Sequence, residues 1–241
     1  MAVIGIGVLG VPGRMARQVI AAILESEDLA LRAAVARPGS PHVGEDAGTL
    51  AGGPRCGIGV SDDPRSLAEV DVVVDFSTPV ALAAALPAIA RRPLVTGTTG
   101  LDAATRARRD AHATGAPLLA AANFSVGIAV LRDLVRRATA ALPDAEVEIV
   151  EAHHRHKKDA PSGTALSLAD AAGREVKMHS MRGGDVVGEH DVFLLMDGER
   201  LRLGHSATSR ATFARGALRA ARWIHGRPAG AYDLAAVLGL E

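Results

Sequence analysis

The first thirty-six residues constrain the fold more than any other stretch of the chain. Ala2–Leu9 is a near-continuous apolar run, Gly13–Leu24 carries helical periodicity, and Leu29–Ala36 is apolar again. Short apolar runs bounded by turn signals read as buried strands, so the opening is a strand–helix–strand unit. The same alternation continues. Val70–Phe76, with Asp71 and Asp75 near its ends, Pro93–Thr96 and Pro117–Ala122 are expected strands, separated by helices over Val80–Ala90 and Leu101–Ala113. Strands spaced by helices predict a parallel sheet covered on both faces.

After Asn123 the pattern changes. Val126–Leu142 is a long amphipathic helix, Ala145–Ala152 a strand that alternates acidic and apolar residues, and Ser162–Ala172 a short helix. Val186–Met196 and Arg200–Thr208 read as two strands joined by the tight turn Asp197-Gly198-Glu199. Thr212–His225 is helical, and Tyr232–Leu240 is an apolar segment able to return to the first domain. Two domains are therefore expected, residues 1–123 with 211–241 and residues 124–210, the second with a partly antiparallel sheet.

Composition narrows the function classes. Among 241 residues, 27 basic and 27 acidic side chains give a formal net charge of zero. No positive field exists to gather nucleic acid or an anionic membrane, and neither partner is expected. Cys56, the single cysteine, excludes an internal disulfide and a cysteine metal cluster, which fits a reducing, cytoplasmic setting. The opening apolar run is too short to span a bilayer and lacks signal-peptide grammar. Only three of the basic residues are lysines, Lys157, Lys158 and Lys177. Lysine can serve as an acid where arginine cannot, so each merits inspection, with codon bias as the alternative.

Two glycine patterns overlap at the N-terminus. Gly5-x-Gly7-x-x-Gly10 matches a dinucleotide fingerprint by letter but falls inside the strand, where glycine serves close packing. Gly10-Val11-Pro12-Gly13-Arg14-Met15 sits at the strand-to-helix junction, where N–H groups and the helix dipole can face a pyrophosphate. The alternative is a turn that uses glycine for geometry alone. At the end of the next strand, Val35-Ala36-Arg37 lacks the carboxylate that would bind the ribose 2′-hydroxyl of NAD. It offers a guanidinium instead, so NADPH is tolerated or preferred unless Arg37 is merely solvated. Gly97-Thr98-Thr99-Gly100 and Ala121-Ala122-Asn123-Phe124 end two further strands on the ligand-binding edge and supply uncharged hydrogen-bonding groups.

The chemically densest stretch runs from Glu151 to Thr164 and holds three of the nine histidines and two of the three lysines. Histidine exchanges protons near neutral pH, and Lys157 can donate one if partly desolvated. Pro161-Ser162-Gly163-Thr164 then opens a helix, with Ser162 as cap and Gly163 and Thr164 presenting first-turn donors to a carboxylate. An acid–base cluster beside an anion cradle suggests a small carboxylate substrate. A solvated basic loop is the bland alternative. No familiar metal-ligand spacing is present, and Ser162 lacks the G-x-S-x-G elbow of a nucleophile.

From Glu151 to Ala165 the chain carries E-x-H-H-x-x-K-x-D-A-P-S-G-T-A without a gap. In this it resembles the 4-hydroxy-tetrahydrodipicolinate reductase family, formerly dihydrodipicolinate reductase. The resemblance extends to Gly10–Met15, Asp75-Phe76, Gly97–Gly100, Ala121–Gly127, Arg182–His190, and Ser209-Arg210 with Phe213. It implies an N-terminal Rossmann dinucleotide-binding domain and a second α+β domain, built on a mixed sheet, for substrate binding and homotetramer formation. By position, His153 would be the proton donor or acceptor and Lys157 the proton donor to the substrate nitrogen. His154 would contact the cyclic dicarboxylate, and Gly163 and Thr164 would bind one of its carboxylates. Gly10–Met15, Gly97–Thr99 and Ala121–Phe124 would line NADPH or NADH, with Arg37 near a 2′-phosphate. The implied reaction is hydride transfer to the substrate ring, with protonation and loss of water, giving tetrahydrodipicolinate for lysine synthesis through diaminopimelate.

Three departures stand out. Ala36 replaces the acidic ribose ligand of many members, Ala16 replaces a glycine after Arg14-Met15, and the stretch between Ala172 and Val176 is much shorter than usual. Two rival readings are a different Rossmann reductase and a non-catalytic NAD(P)-sensing protein. The first, as a semialdehyde enzyme, would need an acyl-accepting cysteine, and Cys56 sits in the wrong context. The second predicts loss of His153 and Lys157, which are both present.

Overall fold

A computed structural model describes residues 2–240. The chain divides into two compact units, one formed by residues up to Phe124 together with Phe213–Val237, the other by Ser125–Thr212 with the residues from Leu238.

In the first unit, β1 (Ile4–Val11), α1 (Arg14–Leu24) and β2 (Leu29–Ala36) form the expected βαβ unit. α1 buries Ala16, Val19, Ile20 and Ile23, one face at helical spacing. A short α2 (Ala47–Leu50) and β3 (Val60–Ser61), in a stretch with no periodicity to read, lead to β4 (Val72–Asp75). α3 (Pro79–Ala85) ends earlier than the expected helix because Pro87 cannot continue the hydrogen-bond ladder. β5 (Leu94–Thr96), α4 (Ala103–His112) and β6 (Pro117–Ala120) complete the alternation.

All pairings in this sheet are parallel, and with β11 (Gly230–Tyr232) beside β6 the order is β11-β6-β5-β4-β1-β2-β3. The chain winds one way from β1 to β3 and the other way from β4 onward. The junction between β1 and β4 is therefore the topological switch point, where such sheets open a crevice at the strands' carboxyl ends.

Gly5, Gly7 and Gly10 all lie within β1, which runs two residues past its expected end. A Cβ on Gly7 would come within 2.7 Å of Leu67, so the first pattern serves packing, as its place in a strand predicted.

In the second unit, α5 (Val126–Ala141), β7 (Glu146–His153), α6 (Gly163–Ala172) and β8 (Lys177–Arg182) precede a hairpin of β9 (Gly188–Met196) and β10 (Glu199–Ala207). The sheet order is β10-β9-β7-β8, antiparallel except for the β7–β8 pair. β8 is absent from the sequence reading because its residues are exposed or half-buried and show no clean alternation. Leu131, Val135, Val147, Ile149, Leu168 and Val192 are among the residues that build the core between the sheet and its two helices.

α7 (Ala211–Ile224) returns the chain to the first unit, and α8 (Leu234–Leu238) follows β11. In α7, Gly216 is required by contact: a Cβ there would sit 1.8 Å from the Phe124 carbonyl oxygen. Gly→Ala inside a helix ordinarily stabilises by up to ~1 kcal/mol. Here Gly216→Ala is expected to destabilise by about 1–3 kcal/mol, as overpacking does, and urea unfolding reads the sign.

Candidate active site

Three candidate loops gather at the carboxyl ends of the parallel strands. Gly10 and Val11 end β1, Pro12 and Gly13 form the turn, and Arg14 and Met15 open α1. No side chain among the described residues caps this helix, so first-turn N–H groups stand ready for an anion. Gly10 has a φ of 108°, and a Cβ there would lie 2.6 Å from the Phe76 carbonyl oxygen at the end of β4. The β1 turn thus presses directly against the β4 turn at the switch point.

Asp75 fixes the neighbouring turns. Its buried carboxylate accepts hydrogen bonds from the hydroxyls of Thr96 at 2.6 Å and Thr98 at 2.7 Å, and from the Ser77 N–H at 2.9 Å. Burial raises its pKa, and these donors oppose the rise. Gly97 lies against the Phe76 ring, 2.3 Å from where its Cβ would be, and Phe76 meets Phe124 edge to face at 5.5 Å. Thr98 and Thr99 from one loop and Ala121 and Ala122 from the other share a cavity of about 250 Å³. Asn123 is half-buried between Ala122 and Phe124, and Arg37 is exposed just beyond β2.

The second unit holds the other set of candidates. His153 ends β7, His154 to Lys157 lie in the following loop, and Gly163 and Thr164 form the first turn of α6. Ser162 caps that helix by accepting from the Ala165 N–H at 3.1 Å. A side chain on Gly163 would meet nothing within 4 Å, so the first turn is open on that side.

Glu151 and His153 point to the same side of β7, two residues apart as strand geometry requires. His153 Nδ1 is 2.5 Å from Glu151 Oε2. Arg182 on β8 grips both Glu151 oxygens, at 2.6 and 2.8 Å, and the Ser162 N–H donates to Oε1 at 3.2 Å. Burial acts to raise the Glu151 pKa, but hydrogen bonds from Arg182, Ser180 and His153 prevail and lower it to about 2. For His153, burial outweighs the Glu151 carboxylate and lowers the pKa.

His190 on β9 meets the His153 ring edge to face at 5.2 Å and lies 3.1 Å from Ser162 Oγ. Burial, then the charge of His153, lowers its pKa to about 4. The His154 pKa is lowered by burial and then by Arg210. Lys157 Nζ lies 2.9 Å from Asp159 Oδ2, which holds the ammonium without burying it. Among the described residues, no group of three or more His, Cys, Asp or Glu is arranged to hold a metal ion.

The sequence reading gave Glu151, Arg182, His190 and Asp75 no part in the chemistry. The i, i+2 spacing of Glu151 and His153 was a usable signal, because alternate strand residues share a face. Nothing local could pair Glu151 with Arg182, which lies 31 residues away on a strand without a clear pattern.

Family models described as dihydrodipicolinate reductase, N-terminus and C-terminus, match residues 4–124 and 127–238. A 4-hydroxy-tetrahydrodipicolinate reductase of Anaeromyxobacter dehalogenans (strain 2CP-1 / ATCC BAA-258) is 44% identical over 262 residues, covering 97% of each chain. One of Alkalilimnicola ehrlichii is 45% identical over 98% of each. Among solved structures, a dipicolinate-bound dihydrodipicolinate reductase from Paenisporosarcina sp. TG-14 superposes with a TM-score of 0.77 at 20% identity. It covers 96% of this chain and 97% of its own, and shows a shared fold. On the two matched halves and the near-complete relatives, the chain belongs to the dihydrodipicolinate reductase family.

Proposed function

We propose that this family member reduces 4-hydroxy-2,3,4,5-tetrahydrodipicolinate to 2,3,4,5-tetrahydrodipicolinate, with loss of water, in lysine synthesis through diaminopimelate. The observation that carries this reading is the run from β7 to α6. Within the second unit it joins a carboxylate-held histidine, an ion-paired lysine and an open helix N-terminus. A ring nitrogen needs a proton source and a substrate carboxylate needs donors, and this segment supplies both.

In this reading the first unit is the dinucleotide-binding domain and the second the substrate and oligomerisation domain. The residues at the switch point fit a nicotinamide dinucleotide: the α1 N-terminus lacks a side-chain cap and its turn is held by Gly10 and Gly13. When bound, the cofactor supplies the hydride. Gly10 to Met15 face its pyrophosphate, and Gly97 to Thr99 with Ala121 to Phe124 line the rest of it. Arg37, with Ala36 in place of an acid, favours a 2′-phosphate and hence NADPH over NADH.

Gly163 and Thr164 hold one substrate carboxylate through first-turn donors, and His154 contacts the same molecule. Lys157 gives its proton to the ring nitrogen, with Asp159 keeping the ammonium in place until then. His153 exchanges its proton with the reacting ring. We propose a cytoplasmic setting, in keeping with a reaction that draws on a nicotinamide cofactor; separately, no described helix is long and apolar enough to cross a membrane.

We further propose a homotetramer. The α5 and α6 helices cover one face of the second sheet, and the other carries Val150, Met181, Phe193 and Leu195 among charges such as Glu148 and Arg202. Met181 is 56% exposed. A sheet face of this mixture suits a second copy of the chain.

Turnover is tested by coupling to a synthase that makes the substrate from pyruvate and aspartate semialdehyde, and following cofactor oxidation. Lys157→Ala should lower kcat by about 10²–10⁴-fold, the range for a general acid, with cofactor affinity near normal. Unchanged turnover would remove the role given to Lys157. For Arg37→Ala, KM for NADPH should rise about tenfold, the loss of one phosphate contact, with KM for NADH steady. Sedimentation should give four times the chain mass, and Phe193→Asp should shift it to smaller species while activity per folded chain at high concentration is the control.

A further inference from the structure

The buried carboxylate of Glu151 has more partners than a packing role needs. It lies at the meeting of three elements: its own strand β7, Arg182 of β8 and the Ser162 N–H at the start of α6. It is fully buried. An acceptor-only group there leaves His153 one arrangement, with Nδ1 as donor. The neutral ring then carries its proton on Nδ1, and Nε2 is the atom that gains or loses one.

Arg182 sets how strongly Glu151 can act. The positive charge of the Arg182 guanidinium, held by two hydrogen bonds, offsets part of the carboxylate's field, so His153 meets an anion that is already partly balanced. A bare carboxylate would hold imidazolium tightly and make it slow to release its proton. With no carboxylate, the ring could rotate and either nitrogen could carry the proton.

We propose that Glu151 and Arg182 act together as positioning residues for His153, Glu151 fixing its proton on Nδ1 and Arg182 limiting how far the carboxylate favours imidazolium. The proposal rests on the proposed reductase function only for its effect on turnover. The proton transfer itself is simple: Nε2 takes or gives one proton, imidazole and imidazolium interconvert, and Glu151 stays ionised throughout.

The other groups facing His153 do not substitute for this pair. His190 of β9 meets its ring edge to face, Lys157 of the following loop adds positive charge, and His154 beside it has a lowered pKa that favours its neutral ring. Lys157 raises the cost of imidazolium, in the same direction as Arg182, and Glu151 alone opposes them. Burial is the main cause that lowers the His153 pKa, with Lys157 and Arg182 adding to it and Glu151 opposing.

The test is nitrogen-15 NMR of the full-length protein labelled at histidine, with His153→Asn to assign the ring, alongside the pH profile of kcat. In the wild type, His153 should carry its proton on Nδ1 when neutral. In Glu151→Gln its midpoint should fall by about one pH unit, because imidazolium loses its anion, and in Arg182→Met it should rise by about one unit. Arg182→Lys should restore the wild-type value. The limb of the kcat profile governed by His153 should move with the midpoint. A purely structural role predicts no such opposite shifts.

A neutral His153 protonated on Nε2, or two variants that move it in the same direction or not at all, would overturn the proposal. The wild-type tautomer needs only the His153→Asn assignment, so failure of the Glu151 or Arg182 variant to fold leaves that result decisive for Glu151, and Arg182→Lys then carries the test of Arg182. A wild-type protein that shows the expected tautomer and opposite shifts yet turns over no substrate would support this pair and count against the reductase reading alone.

Discussion

The ion pair between Glu151 and Arg182 organises the second unit. A carboxylate with no exposure is costly to bury unless its charge is met by donors, and the donors to Glu151 include Arg182 twice, His153, Ser180 and the Ser162 backbone. Arg182 also donates to the Asp159 carbonyl, so the loop that carries Lys157 is tied to the same cation. One group therefore joins β7, β8, the histidine–lysine loop and the start of α6. Removing one partner of such a buried pair costs about 3–5 kcal/mol, because the other is left uncompensated. The interaction is thus a condition for the shape of the site as well as part of it.

The first unit depends on a different constraint, close approach of backbone to backbone. Its parallel sheet needs crossovers, and the reversal of winding between β1 and β4 opens a crevice at their carboxyl ends. The two turns can meet there only because Gly10 has no side chain and takes a positive φ. Asp75 then locks the β4 and β5 turns through Thr96, Thr98 and Ser77. Glycine supplies the approach and a buried carboxylate supplies the order, so both units gather their sites around a buried carboxylate, the first only where glycine lets the turns meet.

Periodicity made most of the fold legible. The strand over Leu29–Ala36 has its expected bounds, and α5, α6 and α7 lie within two residues of theirs. Ends were lost where a local rule competed with apolarity, as at Pro87 in the stretch read as one long helix. β8 was lost for a different reason: Lys177–Arg182 is an edge strand with little burial, and a strand without a buried face leaves no alternating pattern. The candidate site followed the same division. His153, Lys157 and the α6 N-terminus are close in sequence and could be read together, whereas Arg182 and His190 reach them only through sheet register.

By itself the sequence determined the alternation that makes a parallel sheet, the glycine turn at its first strand, and a fifteen-residue segment dense enough in acid–base groups to identify the family. These are local properties, set by spacing and residue type along a few turns or strands. Only the tertiary structure decided which cation balances Glu151 and which ring packs against His153. Those answers depend on groups brought together from strands far apart in the sequence, with Arg182 within 3 Å of Glu151. Hydrogen bonding at such distances is specified by register and burial, and neither is written in the local sequence.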